Sequence, residues 1–307
     1  MTRSQDQILN RRATLASVGV ALVLVAAKLW ALGTTGALSV AASLADSALD
    51  LMVSLGGLAA VIYAARPPDE DHAFGHSSAE DLAALAQSVF VLVSAGAIAA
   101  VALSRLFNGD TAPALTDEGA GIAVMVLAIV LTLALVIYQT RVARQTGNRV
   151  VLADRLHYLG DLLPNIGAIA ALLASARFGL TQLDSVIALG AAGMLAVGSL
   201  RIGAEAWDAL MDRAVDPDLI RGIERIAGSA PGVQGFHDLK TRRSGSRVFV
   251  NLHIELDGTQ SLNDAHEIGA ELHRALLRAY PQCEIIIHKD PVRPETTPTP
   301  TVDSDPR

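Results

Sequence analysis

Hydrophobic and polar positions divide the first two thirds of this chain into long apolar segments separated by short polar stretches. Each apolar segment has about the length that a helix needs to cross a bilayer, roughly 20 residues. We therefore predict six membrane-spanning helices, near residues 13–33, 38–64, 81–107, 118–140, 152–176 and 183–206. Glycines that allow two helices to approach closely recur in these segments, at Gly56, Gly57, Gly190, Gly193 and Gly198.

The pattern changes after Trp207 to that of a small soluble domain. Pro217 marks a helix start after Asp216, and this helix should end near Ser229. Two alternating segments flank the turn at Ser244 and Gly245, and a longer amphipathic segment follows them. The predicted order is helix, strand, strand, helix, strand, with the last four elements at residues 235–242, 247–256, 261–278 and 283–288.

These patterns predict a helical membrane protein with four regions. They are an N-terminal tail at 1–12, a six-helix membrane domain at 13–210, an α+β domain at 211–292 and a disordered tail rich in Pro, Thr and Asp at 293–307. The basic start and the apolar run after it imitate a signal peptide, but further spans follow without a cleavage site, so we interpret this run as a retained first span. Lys28 lies inside that span, and we expect its long stem to carry the ammonium to the interface.

Arginine positions predict the orientation in the membrane, because cytoplasmic loops are enriched in basic residues. The arginines on the side of the termini are Arg3, Arg11, Arg12, Arg66, Arg141, Arg144, Arg149 and Arg155, against mainly Arg105 and Arg177 on the other side. Both termini should therefore be cytoplasmic.

Composition narrows the classes of function. The 307 residues are 51% hydrophobic and only 18% charged, which is too apolar for an ordinary soluble enzyme of this length. A net charge of −7 without a basic stripe argues against a nucleic-acid partner. Cys283 is the only cysteine, so a metal site in this chain would have to use His, Asp and Glu.

Ionisable residues inside the apolar segments are the main candidates for function. Asp46 and Asp50 lie on one helix face, and His157 and Asp161 have the same four-residue spacing in another segment. A purely structural role would require hydrogen bonds to Ser or Thr, or pairing with an arginine that these spans do not offer nearby. The four side chains could instead hold a divalent ion such as Zn²⁺ tetrahedrally, and they could bind metal and protons alternately. Because one proton on the imidazole opposes the metal, we predict that His157 couples transport to protons.

Two other groups could bind metal. Asp69, His72 and His76 lie in the loop after the second span, where a second metal site and a merely hydrophilic turn are equally plausible. Hairpin and crossover geometry should bring further ligands to one sheet edge, and these are His237, His253, His266, His288 and Asp290. We assign His273 to the exposed surface of its helix.

The chain resembles the cation diffusion facilitator family, in particular its bacterial zinc and ferrous-iron efflux branch, over about residues 8–292. The motifs that carry the resemblance are Ser-Leu-Ala-Asp46-Ser-Ala-Leu-Asp50, Asp71-His72-Ala-Phe-Gly-His76, His157-Tyr-Leu-Gly-Asp161 and Ile287-His288-Lys-Asp-Pro291. The resemblance implies a homodimer of six-span protomers with ferredoxin-like cytoplasmic domains, which exports Zn²⁺ or a similar ion across the bacterial inner membrane in exchange for protons.

The resemblance also implies roles for the three residue groups. The membrane set would be the transport site, the loop set a second site, and the cytoplasmic set a binuclear site bridged by Asp290. One departure stands out, because close relatives carry Lys at the position of Ser78, paired across the dimer with an acid that matches Asp212. Without that lysine, we hypothesise a dimer that depends more on its cytoplasmic domains. Cross-linking that finds the membrane halves tightly fixed without metal would contradict this hypothesis.

Other classes of function stay open at this point. A membrane metallohydrolase would need an open coordination position and a general base, and the chain has no His-Glu-x-x-His motif. A proton-independent channel or a metal receptor would also need ligands within the membrane. The three carboxylates and one imidazole suit Fe²⁺, Cd²⁺, Co²⁺ and Mn²⁺ as well as Zn²⁺, so the cargo is not decided by the ligand set. We expect the cytoplasmic metal site to act as a sensor or as a clamp between protomers.

Overall fold

The computed structural model describes residues 3–35, 38–108, 119–178 and 183–292, and the predicted disordered tail at 293–307 lies outside them. The first two thirds of the chain form six long helices, as predicted. They are α1 (Arg3–Thr35), α2 (Leu38–Ala64), α3 (Ser78–Asn108), α4 (Gly119–Thr146), α5 (Arg149–Phe178) and α6 (Leu183–Leu210).

Length and composition identify membrane-crossing segments in five of these helices. The segments are Gln5–Gly33, Asp46–Ala64, Ser78–Phe107, Val126–Thr146 and Ser185–Leu210. No such segment is found in the described part of α5, whose described side chains include Arg149, Asp154, Arg155 and Asp161. Large apolar side chains such as Met52, Phe107 and Val197 lie on the outside of the helices, which is the surface expected against lipid. The predicted helical membrane fold is confirmed.

Glycines allow close packing at two of the five predicted positions. A Cβ at Gly57 would lie 2.9 Å from Gln87 Nε2 on α3, and a Cβ at Gly198 would lie 3.0 Å from the Leu156 side chain on α5. Gly56, Gly190 and Gly193 have no such neighbour within 4 Å among the described residues. Among these five positions, the helices therefore approach closely at Gly57 and Gly198, where another helix occupies the space of a side chain.

A buried ion pair joins α3 to α5. Arg149 Nη1 donates to Asp81 Oδ1 at 2.6 Å, and Asp81 is almost completely buried. A short, charge-assisted hydrogen bond of this kind fixes the start of α5 against the first turns of α3. α5 is the helix that carries His157 and Asp161, so the pair anchors one of the two helices of the candidate site.

The C-terminal domain has the predicted order of elements, which confirms the small α+β fold. Its elements are α7 (Pro217–Gly228), β1 (Gly235–Ser244), β2 (Arg247–Leu256), α8 (Leu262–Ala279) and β3 (Cys283–Pro291). The sheet order is β1-β2-β3, and β2 and β3 are parallel. Asp216 and Ser261 cap the two helices by accepting from backbone N–H groups.

The core of this domain lies between its helices and its sheet. It includes Ile223 of α7, Leu252 and Ile254 of β2, and Leu272 and Leu276 of α8. Leu252 and Ile254 alternate with more exposed residues along β2, so the other sheet face is left to polar side chains. That polar face carries the histidines of the predicted cytoplasmic site.

Candidate metal sites

The first cluster joins α2 to α5 inside the membrane domain and consists of Asp50, His157 and Asp161, here called the α2–α5 cluster. One ligand atom from each residue lies within 4.8 Å of the others. His157 Nε2 is 3.1 Å from Asp50 Oδ1 and 4.0 Å from Asp161 Oδ2. The four-residue spacing of His157 and Asp161 directs both side chains to the same side of α5, as predicted.

The contact between Asp50 and His157 is suited to a shared ion. His157 Nε2 and Asp50 Oδ1 face each other at 3.1 Å, and both side chains are largely shielded from solvent. A neutral imidazole nitrogen and a carboxylate oxygen at this separation can act as two ligands of one cation. The cluster can therefore accept a divalent ion, which would offset the cost of burying its acids.

Aromatic and hydroxyl groups hold His157 in place. Its ring packs edge-on against Phe90 of α3, with centroids 5.5 Å apart, and lies 5.4 Å from the ring of Tyr158. Tyr158 is fully buried, its hydroxyl lies 2.9 Å from Ser54 Oγ, and it is 3.2 Å from the carbonyl oxygen of Ser17. These contacts restrict the imidazole rotamer, as the surroundings of a metal ligand usually do.

A further buried acid lies one turn before His157. Asp154 accepts hydrogen bonds from Ser17 and from Gln139 Nε2, the latter at 2.6 Å. Gln139 Nε2 also lies 2.8 Å from Ser17 Oγ, so residues of α1, α4 and α5 form one polar network. Asp154 is not a member of the α2–α5 cluster. The sequence analysis did not identify this network. Asp154 lies within a predicted membrane span, four residues before Tyr158, and an ionisable residue in such a span is itself an indication of function.

Two predictions about α1 and α2 differ from the arrangement in the structure. Asp46 is not among the residues whose ligand atoms lie within 4.8 Å of one another, and it is exposed on α2, so its part in the transport site stays a prediction. Lys28 does not extend to the interface, since its Nζ donates to Ser47 Oγ at 2.6 Å. Ser47 is buried between the two acids of α2 and offers a hydrogen-bond acceptor inside the bundle.

The second cluster is formed by the loop residues Asp69, His72 and His76, here called the loop cluster, as predicted. Asp69 Oδ1 lies 3.2 Å from His72 Nδ1, and Asp69 Oδ2 lies 3.1 Å from His76 Nε2. Gly75 has a φ of +80° and bonds back to the His72 carbonyl, so the turn brings the two histidines together. The backbone N–H of His72 lowers the pKa of Asp69, which keeps this carboxylate ionised.

The third cluster lies on the polar face of the C-terminal sheet and is called the sheet cluster. It contains His237, His253, His288 and Asp290. Asp290 Oδ2 lies 2.9 Å from His253 Nδ1 and 3.4 Å from His237 Nε2, while its Oδ1 lies 3.2 Å from His288 Nε2. A carboxylate whose two oxygens face different histidines can bridge two ions, which is the role predicted for Asp290.

Strand register explains the sheet cluster and adds a residue to it. His253 pairs with His288 and Glu255 with Asp290 across parallel strands, so all four side chains share one face. Glu255 Oε1 lies 3.7 Å from His237 Nε2 and is a further candidate ligand. We missed Glu255 in the sequence, although its two-residue spacing from His253 indicated the same face.

His266 does not join the sheet cluster within this chain. It lies on the exposed side of α8, whereas α8 packs on the domain core through Gly269, Leu272 and Leu276. Four of the five predicted residues therefore lie together in this chain, and His266 lies apart because the packed face of an amphipathic helix turns the other face to solvent.

Comparisons with known proteins identify the family of this chain. The family model of the cation efflux transmembrane domain matches residues 14–211, and that of the cytoplasmic domain of cation efflux proteins matches residues 215–292. The chain is 44% identical over 285 residues to the cation-efflux pump FieF of Pectobacterium carotovorum subsp. carotovorum (strain PC1), covering 92% of this chain and 94% of the relative. It is 38% identical over 291 residues to the cation-efflux pump FieF of Escherichia coli O127:H6, covering 95% of each.

A solved structure resembles the C-terminal part. The metal-bound C-terminal domain of the CzcD transporter from Thermotoga maritima is 31% identical, with a TM-score of 0.23, and the match covers 24% of this chain and 87% of that chain. The two family models account for nearly all the described residues, and the curated relatives match almost end to end. The chain therefore belongs to the cation efflux, or cation diffusion facilitator, family.

Proposed function

We propose that this protein exports divalent metal cations from the cytoplasm by exchanging them for protons, with Zn²⁺ as the first expected cargo. The observation that carries the proposal is the α2–α5 cluster. Two acids and an imidazole from two helices converge within 4.8 Å inside an apolar bundle. Groups of this kind are costly to bury unless they bind an ion, so transport is a better account of them than packing.

Exchange follows from the chemistry of the ligands. His157 binds a metal only in its neutral form, and Asp50 and Asp161 bind it only when ionised. A proton on His157 adds a positive charge 3.1 Å from Asp50, where it competes directly with the metal. His157 is therefore the proposed coupling residue. In an alternating-access cycle, protons entering from outside would release the metal there.

The other two clusters have supporting roles in this proposal. The sheet cluster would sense cytoplasmic metal or clamp two protomers of a homodimer, since an ion stabilises the arrangement that binds it best. The loop cluster would hold a second ion on the cytoplasmic side. The orientation follows the arginine distribution, with both termini in the cytoplasm and the protein in the bacterial inner membrane.

The cargo cannot be assigned from affinity order, because all first-row divalent ions suit carboxylate and imidazole ligands to some degree. If Asp46 joins the α2–α5 cluster when metal is bound, the site has three carboxylates and one imidazole, a set compatible with Fe²⁺, Cd²⁺, Co²⁺ and Mn²⁺ as well as Zn²⁺. A competitive flux series of these five ions at a fixed pH gradient ranks them directly.

Reconstituted flux tests the proposal. Purified full-length protein in proteoliposomes should take up Zn²⁺ faster when an opposing pH gradient is imposed, and Asp50→Ala should abolish this uptake. Glu205→Ala is the matched control, because it removes an acid that pairs with Arg201 on α6 and is not part of the cluster. Zn²⁺ uptake at the same rate with and without the pH gradient would indicate a channel. Zn²⁺ uptake that is retained in Asp50→Ala would overturn the proposed site.

A further inference from the structure

Lys28 lies much deeper in the membrane domain than a lysine near a helix end should. It is seven residues before the end of α1, and Ser47, which accepts its hydrogen bond, is nine residues after the start of α2. At 1.5 Å per residue, these positions are about 10 and about 13 Å from the adjoining helix ends. The ammonium therefore extends into the bundle and away from the nearer surface.

The hydrogen-bond partner of Lys28 connects it to the α2–α5 cluster. Ser47 is 2% exposed and lies three residues before Asp50, so the two side chains are neighbours on one face of α2. Burial disfavours the charged form of Lys28, and the negative charges of Asp50, Asp46 and Asp161 favour it. A positive charge is thus built into the surroundings of the very acids that would bind the cargo.

We propose that Lys28 is the charge-balancing residue of the transport site, and that it sets the cargo valence for which the loaded site is neutral. The proposal rests on the function proposed above. If Asp46 joins Asp50 and Asp161 when metal is bound, the three acids carry three negative charges, which a divalent ion and one ammonium neutralise together. A monovalent ion leaves a net negative charge, and a trivalent ion leaves a net positive one. In a bundle of low dielectric constant, such an imbalance is costly.

The same charge weakens metal binding, which favours turnover. An ammonium near the acids repels the incoming cation. When the metal has left, the ammonium partly neutralises the negative charge of the carboxylates. Lys28 is a positioning residue in this scheme, because it acts through the acids and through Ser47 and does not bind the metal. Its removal should leave a site that binds Zn²⁺ more tightly and releases it more slowly.

Zn²⁺ flux into proteoliposomes tests this inference with Lys28→Met and Lys28→Arg. Lys28→Met should lower KM for Zn²⁺ by about tenfold, the effect of one unit charge at several Å in a partly screened site, and should also lower the maximal rate. Lys28→Arg keeps the charge and should stay close to the unchanged protein in KM. Arg105→Met removes a cation from the last turn of α3 and serves as the control.

Inhibition of Zn²⁺ flux by La³⁺ distinguishes a charge-balancing role of Lys28 from a purely structural one, because a structural role would not change the La³⁺ inhibition constant. With Lys28→Met the neutral loaded state needs a trivalent ion, so the La³⁺ inhibition constant should fall by a larger factor than KM for Zn²⁺. Ser47→Ala loosens the ammonium without removing it and should shift both constants in the same direction by less. It also keeps the test available if Lys28→Met does not fold.

The outcomes separate this inference from the proposed function. If Asp50→Ala abolishes flux while Lys28→Met leaves KM and La³⁺ inhibition unchanged, or raises both constants, Lys28 is structural and the charge-balancing role is wrong. If Asp50→Ala leaves flux intact, the transport site itself is misplaced, whatever Lys28→Met does.

Discussion

Asp50 of the membrane domain and Asp290 of the C-terminal domain each face a histidine at nearly the same distance, 3.1 Å to His157 and 2.9 Å to His253. Their surroundings differ. The side chains of Asp50 and His157 are 17% and 7% exposed, whereas those of Asp290 and His253 are 31% and 34% exposed. Asp290 also lies close to His237 and His288, whereas Asp50 lies within an apolar membrane-crossing segment.

The difference shows how one pair of residue types can serve two kinds of candidate metal site. In the sheet cluster, water and three histidines already stabilise Asp290, so an ion adds affinity without relieving a large cost. In the α2–α5 cluster, burial leaves the charges dependent on an ion, on a proton or on Lys28. A site whose charges must always be balanced is suited to exchange, and a solvated site is suited to sensing.

The largest expected effect comes from neutralising one acid in each cluster without changing its shape. Asp161→Asn should reduce Zn²⁺ transport by about a hundredfold or more, because it removes a charged ligand from the proposed transport site. Asp290→Asn should reduce transport by only a few-fold while weakening metal binding in the C-terminal domain. Proteoliposome flux and metal titration of both full-length variants measure this, and equal losses of transport would remove the distinction between the clusters.

A second test compares a buried with an exposed ion pair. Arg149→Met leaves the buried Asp81 without its arginine and should lower the free energy of unfolding of the membrane domain by about 3 kcal/mol. Arg274→Met breaks the solvent-exposed pair with Glu267 on α8, where the expected loss is below about 1 kcal/mol. Thermal unfolding of each variant in detergent distinguishes them, and similar melting temperatures would show that the Arg149 pair contributes little.

The smallest effect concerns pH at the sheet cluster. The hydrogen bond with His253 lowers the pKa of Asp290. The stability that the ionised carboxylate contributes to the domain is therefore fully present above the usual carboxyl pKa, and it is lost only as the pH falls through the lowered pKa. Asp290→Asn should therefore weaken Zn²⁺ binding by the same factor at about pH 6 and about pH 8, since Asp290 is ionised at both. Calorimetric titration measures this factor, and a clear decrease toward the lower pH would show that Asp290 is partly protonated there.

Most of the fold could be predicted because its signals are local. The apolar segments have bilayer length, and Asp216, Pro217 and the alternation of β2 mark elements that the structure places within a few residues. α1 begins earlier than its predicted span, at Arg3, because a helix continues beyond the apolar part when its polar residues are good helix formers. The spacing of His157 and Asp161 was likewise enough to place them together.

The sequence by itself determined which residue types are available and which share a helix face or a strand face, because periodicity is a property of the backbone. It could not determine which face meets which neighbour. Tertiary structure turned Asp50 toward His157 of α5, brought Lys28 to Ser47, and aligned Glu255 with Asp290. Each of these depends on the rotation of one element against another, which packing decides and no single segment encodes.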